Sequence, residues 1–194
     1  DMEKVPLLNI SDIRKEIHPL KNREDSIYGM PLICHDIFTN GIGYLEFIFD
    51  INDLDAEFVP YAELLTNIFK YVDTEHYTYG ELFNEINANT GGINCGVEVF
   101  DRADSTEEFQ AMFSVRGKAL YTKMDFLFKM IGEILNSSKL EDTKRLYEIV
   151  ASVKSRAQVN LTGAGHSTAV LRAAAYSSPM AAFQDEMAGI GYYQ

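Results

Sequence analysis

Four histidines have the side chains best suited to metal binding or proton transfer: His18, His35, His76 and His166. Only His76 lies in a segment like a metal motif, because Val72-Asp73-Thr74-Glu75-His76 is H-x-x-E-H with its first histidine replaced. The zinc motif needs two histidines four positions apart on one helix face, with a glutamate as general base. The first ligand is missing and the sequence favours a loop, so we interpret His76 as a solvated histidine beside two acids. A metal site made by Asp73, Glu75 and His76 is the weaker alternative.

Two other segments combine reactive side chains with small residues. Gly163-Ala164-Gly165-His166-Ser167 lacks the lysine of a phosphate loop and the residue order of a nucleophile elbow. We interpret it as a helix break followed by the start of a new helix. Cys34-His35-Asp36 joins a thiol, an imidazole and a carboxylate, but neighbouring side chains of a strand point to opposite faces. We therefore expect neither segment to be catalytic.

The charged residues are distributed unevenly along the chain. There are 29 acidic and 17 basic residues, which gives a net charge of −12. Residues 50–110 contain 14 of the acidic residues and only two basic ones, so the whole excess of negative charge lies there. Such a surface repels phosphate backbones and anionic lipid, so we expect no nucleic-acid or membrane partner. A solvated face is the common role of such acids, and binding of cationic partners is the alternative.

The composition is that of a soluble globular protein, with 46% hydrophobic, 12% aromatic and 24% charged residues. No apolar stretch approaches the ~20 residues of a membrane span, and no signal peptide is visible. We predict a cytoplasmic location, with an organelle lumen such as the mitochondrial matrix as the alternative. Cys34 and Cys95 lie in apolar, strand-like segments and are expected to be buried free thiols. Because the sequence begins at Asp1, we expect an excised piece of a longer protein.

The pattern of the chain changes near residue 27. Residues 1–26 are polar and are interpreted as a leader or linker, with a short helix near Ser11–Ile17. Ile27–Phe38 and Gly43–Ile51 are rich in β-branched and aromatic residues, and the Asn40-Gly41 pair between them is a strong turn signal. We therefore predict two adjacent antiparallel strands, within a single domain that spans residues 27–194.

Helical and strand-like segments then alternate in pairs. Apolar residues recur at helical spacing from Phe58 to Val72, and Thr78 with Glu81 forms a capping box that begins a second helix ending near Asn89. Residues 93–100 and 109–119 have strand character, and three helical segments follow: 120–135, 141–161 and 167 onward. The order β-β-α-α-β-β-α-α-α predicts an α+β fold, with an antiparallel sheet backed by helices on one face.

Several short segments occur together in a recognisable order. They are Cys34-His35-Asp36 through Gly43-Tyr44, Thr90-Gly91-Gly92-Ile93, Val115-Arg116-Gly117-Lys118, Gly163-Ala164-Gly165-His166-Ser167 and Met187-Ala188-Gly189-Ile190-Gly191-Tyr192. In this order they resemble the insulinase/pitrilysin family of zinc metallopeptidases, and in particular the third, non-catalytic domain of its presequence-protease-like branch. The resemblance covers about residues 11–194. Members of that family have four domains of one α+β fold around a closed chamber, and the first domain binds zinc.

The resemblance implies that this chain contains no catalytic or metal-binding residue. Pro60–Tyr71 corresponds to the zinc helix, and the motif positions fall near Ala62, Leu65 and Thr66, which are not zinc ligands. The chain would then form part of the chamber wall of a parent zinc metalloendopeptidase that degrades unstructured peptides. Zinc would be bound only in the catalytic domain of the parent. The expected partners are the other domains of the parent and its peptide substrates. The alternative is a catalytically inactive structural or assembly subunit of the same fold.

Two further expectations follow from the resemblance. Domains of the family end with another helix and strand, so we expect truncation before these elements and a sheet of about four strands. Its open edge could then pair with another copy of the chain. Peptides degraded by presequence-protease-like enzymes are often cationic, so Glu57, Glu63, Glu81 and Glu85 are predicted to form an acidic surface that attracts them.

Overall fold

The computed structural model describes residues 9–13, 15–16, 19 and 21–194. The chain divides into two compact units, residues 1–40 and residues 41–194. The leader over 1–26 and the domain over 27–194 remain predictions. His18 and the predicted helix end at Ile17 lie outside the described residues. Near the predicted helix start, a short 3-10 helix spans Ile10–Asp12.

The first unit contains a two-stranded antiparallel hairpin. Strand β1 is Asn22–Ile27 and strand β2 is Met30–His35. Tyr28 and Gly29 form the turn between them, with φ angles of 52° and 82°. The sequence pattern does not reveal β1, because all six of its residues are exposed and no apolar alternation marks it.

The second unit contains a three-stranded antiparallel sheet with the strand order β3-β5-β4. Its strands are β3 at Ile42–Asp50, β4 at Ile93–Arg102 and β5 at Ser105–Leu120. The predicted pairing of the strands on either side of Asn40-Gly41 is wrong, since β2 pairs with β1 and β3 pairs with β5. Asn40 and Gly41 do have the positive φ angles of a tight turn, 54° and 82°. The described residues therefore form a sheet of two strands and a sheet of three, rather than one of about four.

Two helices lie between β3 and β4, and the others follow β5. They are α1 at Val59–Ile68, α2 at Tyr79–Asn89, α3 at Met124–Ser137, α4 at Thr143–Gly163, α5 at Gly165–Ala174, α6 at Pro179–Ala188 and α7 at Ile190–Tyr193. The capping box that begins α2 is confirmed, because Thr78 accepts from the backbone of Glu81 and Glu81 accepts from that of Thr78. The segment predicted as helical from residue 167 onward is divided into α5, α6 and α7. Ser178 caps α6, and Pro179 occupies its first turn.

The helices cover one face of the three-stranded sheet, which confirms the predicted α+β architecture. Odd-numbered residues of β5 face the helices: Val115 packs against Leu127 of α3, and Phe109 contacts Phe183 of α6. Val115 and Leu127 have no exposed surface. Burial of such side chains stabilises the fold by about 1.5–3 kcal/mol each. The main core therefore lies between this face of the sheet and the helices.

Two smaller clusters join the helices to one another. Ile68 and Val72, at and beyond the end of α1, pack against Ile149 and Val153 of α4. Leu82 of α2 packs against residues of α3. Among the described residues, no helix is both long enough and apolar enough to cross a membrane.

Candidate functional site

Helix α1 occupies the part of the fold where the resemblance places the zinc helix. Ala62 and Thr66 are buried in the core, and Leu65 lies between them in sequence. The Thr66 hydroxyl donates to the backbone carbonyl of Glu63 at 2.8 Å, so it is already satisfied within the helix. In the part of the chain that the structure describes, no three His, Cys, Asp or Glu side chains lie close enough together to hold a metal ion.

His76 lies in the loop between α1 and α2 and contacts a carboxylate of α3. Its Nδ1 is 3.0 Å from Oε2 of Glu133, and its backbone N–H donates to Oε1 at 3.1 Å. The side chain of Glu133 is only 7% exposed, whereas that of His76 is 65% exposed. Hydrogen bonds from the Thr74 side chain and from His76 lower the pKa of Glu133, although desolvation acts in the opposite direction. Glu133 therefore remains ionised at neutral pH and fixes this loop to α3.

Asp73 and Glu75 make separate hydrogen bonds in the same loop, Asp73 through its carboxylate and Glu75 through its backbone. Oδ1 of Asp73 accepts from the backbone N–H of Tyr79 at 2.7 Å, at the start of α2. The backbone N–H of Glu75 donates to the carbonyl of Ser137 at 2.9 Å. Asp73, Glu75 and His76 do not form a group that could hold a metal ion. The interpretation of His76 as a solvated histidine beside two acids misses its main partner, Glu133, which lies 57 residues away.

The two cysteines are free and lie on strands, as the sequence indicates, but both are partly exposed rather than buried. Cys34 and His35 are consecutive in β2 and so point to opposite faces of the hairpin. Cys95 lies on β4, where desolvation raises the pKa of its thiol to about 11. The Cys95 thiol therefore stays protonated at neutral pH and is a poor nucleophile.

Three of the four glutamates predicted to attract cationic peptides are exposed. Glu57 lies in a 3-10 helix at Ala56–Phe58, whereas Glu81 and Glu85 lie one turn apart on α2. The capping hydrogen bonds from Thr78 lower the pKa of Glu81, so this carboxylate is ionised at neutral pH. Whether the four glutamates act together on peptides remains a prediction.

The fourth glutamate, Glu63, is partly buried and lines a cavity of about 210 Å³. The cavity lies among α1, α4 and the last two helices. Burial raises the pKa of Glu63. In the same lining, the guanidinium of Arg156 donates to Oδ1 of Asn67 at 3.1 Å, and the hydroxyl of Tyr192 is buried without a hydrogen-bond partner among the described residues. Glu63 is thus in a different environment from the three exposed glutamates.

The segment Val115-Arg116-Gly117-Lys118 alternates across the sheet. Arg116 lies on the face that the described helices leave uncovered, where its guanidinium forms ion pairs with Glu98 and, at 2.6 Å, with Glu46. These two carboxylates raise the pKa of Arg116. Gly117 lies on the helix-covered face, where a Cβ would stand 2.6 Å from Cδ1 of Leu127. A side chain at this position would therefore displace Leu127 of α3.

The last two recognised segments lie at helix ends. Gly163 ends α4 and Gly165 begins α5, so the predicted helix break is confirmed. Near the chain end, Asp185 of α6 is 1% exposed and forms an ion pair with Arg172 of α5 at 2.8 Å. The Asp185 carboxylate also accepts from the backbone N–H groups of Ile190 and Gly191, both at 3.2 Å. Sequence reasoning does not single out Asp185, because one Asp in a helix gives no signal of burial.

Comparison with known proteins gives a consistent group of relatives. The family of domains associated with M16 peptidases of subfamily C matches residues 1–194. Protein HypA of Clostridium perfringens is 32% identical over 193 residues, which is all of this chain and 20% of that protein. Presequence protease 1, chloroplastic/mitochondrial, of Arabidopsis thaliana is 30% identical over 190 residues, 98% of this chain and 18% of that protein. Presequence protease, mitochondrial, of Yarrowia lipolytica is 28% identical over 190 residues, again 98% of this chain and 19% of that protein. The chain thus spans about a fifth of the length of these relatives.

Proposed function

The chain belongs to the family of domains associated with M16 peptidases of subfamily C, and we propose that it is a non-catalytic, chamber-forming domain of a zinc-dependent peptidase. The parent enzyme would degrade unstructured peptides, as the presequence-protease names of two of these relatives suggest. The chain would form part of the wall that excludes folded proteins. Cleavage and zinc binding would belong to other parts of the full-length protein.

One observation carries this proposal. In α1, the positions that correspond to the zinc motif are Ala62, Leu65 and Thr66, and two of these side chains are buried in the core. None of them offers an imidazole, thiolate or carboxylate, which are the side chains that bind zinc in proteins. In this proposal, α1 packs in the core and supplies no zinc ligand.

The first test compares the full-length protein with residues 1–194 in isolation. The full-length protein should bind zinc and cleave unstructured peptides in a chelator-sensitive way, whereas purified residues 1–194 should do neither. Metal analysis and a fluorogenic peptide assay measure the two properties. Chelator-sensitive cleavage by residues 1–194 alone would contradict the proposal. A full-length protein that lacks an H-x-x-E-H domain would instead support the inactive assembly subunit.

We also propose that the exposed acids attract cationic peptide substrates through their electrostatic field. Neutralising Glu57, Glu81 and Glu85 together should raise KM for basic peptides several-fold and leave KM for neutral peptides unchanged. The effect should shrink as ionic strength rises, because salt screens exposed charges. Glu63→Gln should change KM less than any of the exposed substitutions, since Glu63 is partly buried in its cavity. An equal change in KM for basic and neutral peptides would contradict this role.

The location of the parent protein is part of the same proposal. We propose the cytoplasm, with an organelle lumen as the alternative, because two of these relatives carry organelle names while another comes from a bacterium. Cell fractionation with an antibody against residues 41–194 distinguishes the two. Recovery with a sealed organelle, in a protease-protected form, would contradict the cytoplasmic assignment.

A further inference from the structure

The tip of the β1–β2 hairpin exposes more apolar surface than a solvated turn needs. Tyr28 is 98% exposed, Met30 is 61% exposed and Ile27 is 49% exposed. Ile27 and Met30 face each other across the two strands, so their side chains lie on the same side of the hairpin. We refer to Ile27, Tyr28 and Met30 as the apolar tip. Adjacent exposed apolar side chains of this kind mark interaction sites.

The backbone of the turn is a second and independent observation. Tyr28 has a φ of 52°, in the left-handed region where glycine, asparagine and aspartate are favoured. A tyrosine at this position makes the turn less stable than an asparagine would. Tyrosine is also one of the residues that contribute most to binding energy at protein interfaces. Tyr28 is therefore unfavourable for the stability of the turn, but it exposes a large aromatic ring at the tip.

The charges of the hairpin lie on strand β1 before its tip, and the nearest is Asp25, two residues before Ile27. Arg23 forms ion pairs with Asp25 at 3.3 Å and with Asp36 at 3.8 Å. No charged residue occurs from Ser26 to Cys34. The surface that contacts the apolar tip itself should therefore be apolar. The cationic peptides of the proposed function would gain little attraction from Asp25, because Arg23 already pairs with it.

We propose that the apolar tip docks into an apolar pocket on another domain of the same full-length polypeptide. As in the proposed function, the chain is one domain of a longer protein, and it spans only about a fifth of the length of its relatives. A two-stranded hairpin is at best marginally stable in water, so it needs such a contact. A partner on the same chain has an effective concentration in the millimolar range, which makes a small apolar contact sufficient.

The experiment measures hydrogen exchange of the backbone amides of Asn22–His35 in the full-length protein. Tyr28→Asn removes the aromatic ring and supplies a better turn residue. If the tip is docked, Tyr28→Asn should speed exchange in the hairpin at least tenfold. If the tip is free in solution, the same substitution should leave exchange unchanged or slow it, and that result would overturn the proposal. Whether Tyr28→Asn speeds or slows hydrogen exchange therefore distinguishes a docked tip from a free one.

Tyr176→Asn is the matched control, because Tyr176 is 88% exposed and lies in the second unit. It should not alter exchange in the hairpin. Met30→Ser keeps the turn sequence intact and should also speed exchange, so the result does not depend on one substitution.

Two other partners give different results in the same measurement. If a second copy receives the tip, protection in the wild-type hairpin should fall on dilution, and this outcome overturns the proposal. Protection that appears only when a saturating unstructured basic peptide is added would also overturn it. Chelator-sensitive peptide cleavage is followed in parallel in the wild-type protein. Its absence would count against the proposed function without affecting the result for the hairpin.

Discussion

The two faces of the three-stranded sheet differ in how their residues are stabilised. On the helix-covered face, Val115 and Leu127 are fully buried and contribute through packing. On the open face, Arg116 is about half exposed and is held between the carboxylates of Glu46 and Glu98. Burial of large apolar side chains is worth several times more than exposed ion pairs, whose contributions are about 0–1 kcal/mol. The stability of the three-stranded sheet should therefore depend mainly on its helix-covered face.

The largest expected effect comes from removing packing on the covered face. Leu127→Ala should lower the free energy of unfolding by about 2–5 kcal/mol, because it removes buried contacts and leaves a cavity. Ile48→Ala is the matched change on the open face, where Ile48 is 59% exposed. It should change the free energy of unfolding by no more than about 0.5 kcal/mol. Urea denaturation of residues 1–194 measures both, and similar losses for the two variants would contradict the comparison.

A smaller effect is expected from adding one methyl group to each face. Gly117→Ala should cost about 1–3 kcal/mol, because its Cβ would stand 2.6 Å from Cδ1 of Leu127. Gly96→Ala on the open face should be neutral or slightly stabilising, because its nearest neighbour, Oγ of Ser114, would be 3.8 Å away. Denaturation midpoints measure this difference.

A double variant checks the cause of the Gly117 effect. With Leu127→Ala in the background, the added methyl group has room, so Gly117→Ala should cost much less than it does alone. Fully additive losses would show that the contact with Leu127 is not the reason.

The smallest expected effect on stability concerns Glu63, the partly buried acid of helix α1. Burial raises the pKa of Glu63 above its ordinary value of 4.5, so the folded state binds this proton more tightly than the unfolded state does. Its contribution to stability is present below about pH 4.5 and is lost as the pH rises through the folded-state pKa. Glu63→Gln should therefore raise Tm by about 1–3 °C at pH 7, with the gain disappearing toward about pH 4.5.

Glu57→Gln is the control for this pH dependence, because Glu57 lies exposed on a 3-10 helix. It should show no such gain at pH 7. A thermal denaturation series from pH 4 to pH 8 makes the measurement. A gain from Glu63→Gln that is the same at every pH would show that burial of the charge is not its source.

Local features of the fold could be predicted from the sequence because their signals lie within a few residues. The capping box of Thr78 and Glu81 is present, and helix α2 ends at Asn89 as expected. The strands that form the core are also visible in the sequence, since β-branched and aromatic residues such as Phe113 and Val115 concentrate in them. The exposed strand β1 gave no such signal. Ser178 and Pro179 have the types and order of a helix cap and a first-turn proline, and they begin α6 within the segment interpreted as one helix from residue 167 onward.

Features that join distant segments could not be predicted in the same way. The pairing of β3 with β5 joins residues about 70 positions apart, whereas the local Asn40-Gly41 turn pointed to the wrong partner. The contact between His76 and Glu133 spans 57 residues. The sequence shows that His76 and Glu133 are present, but the packing of α3 determines that they meet. The same limit applies to Glu63, whose burial depends on α4 and the last two helices.

The strand order β3-β5-β4 has a consequence for synthesis of the chain. The central strand, β5, is the last of the three to leave the ribosome, and Ile42 of β3 pairs with Leu120 at its end. Until residues 115–117 have emerged, the apolar residues Leu45 and Phe47 of β3 have no strand partner, because they pair with Gly117 and Val115. At about 5–20 residues per second, β3 waits on the order of several seconds after its own synthesis. During that interval this segment is the natural binding site for a chaperone, and slowing translation between β3 and β5 should lengthen the time for which it is exposed.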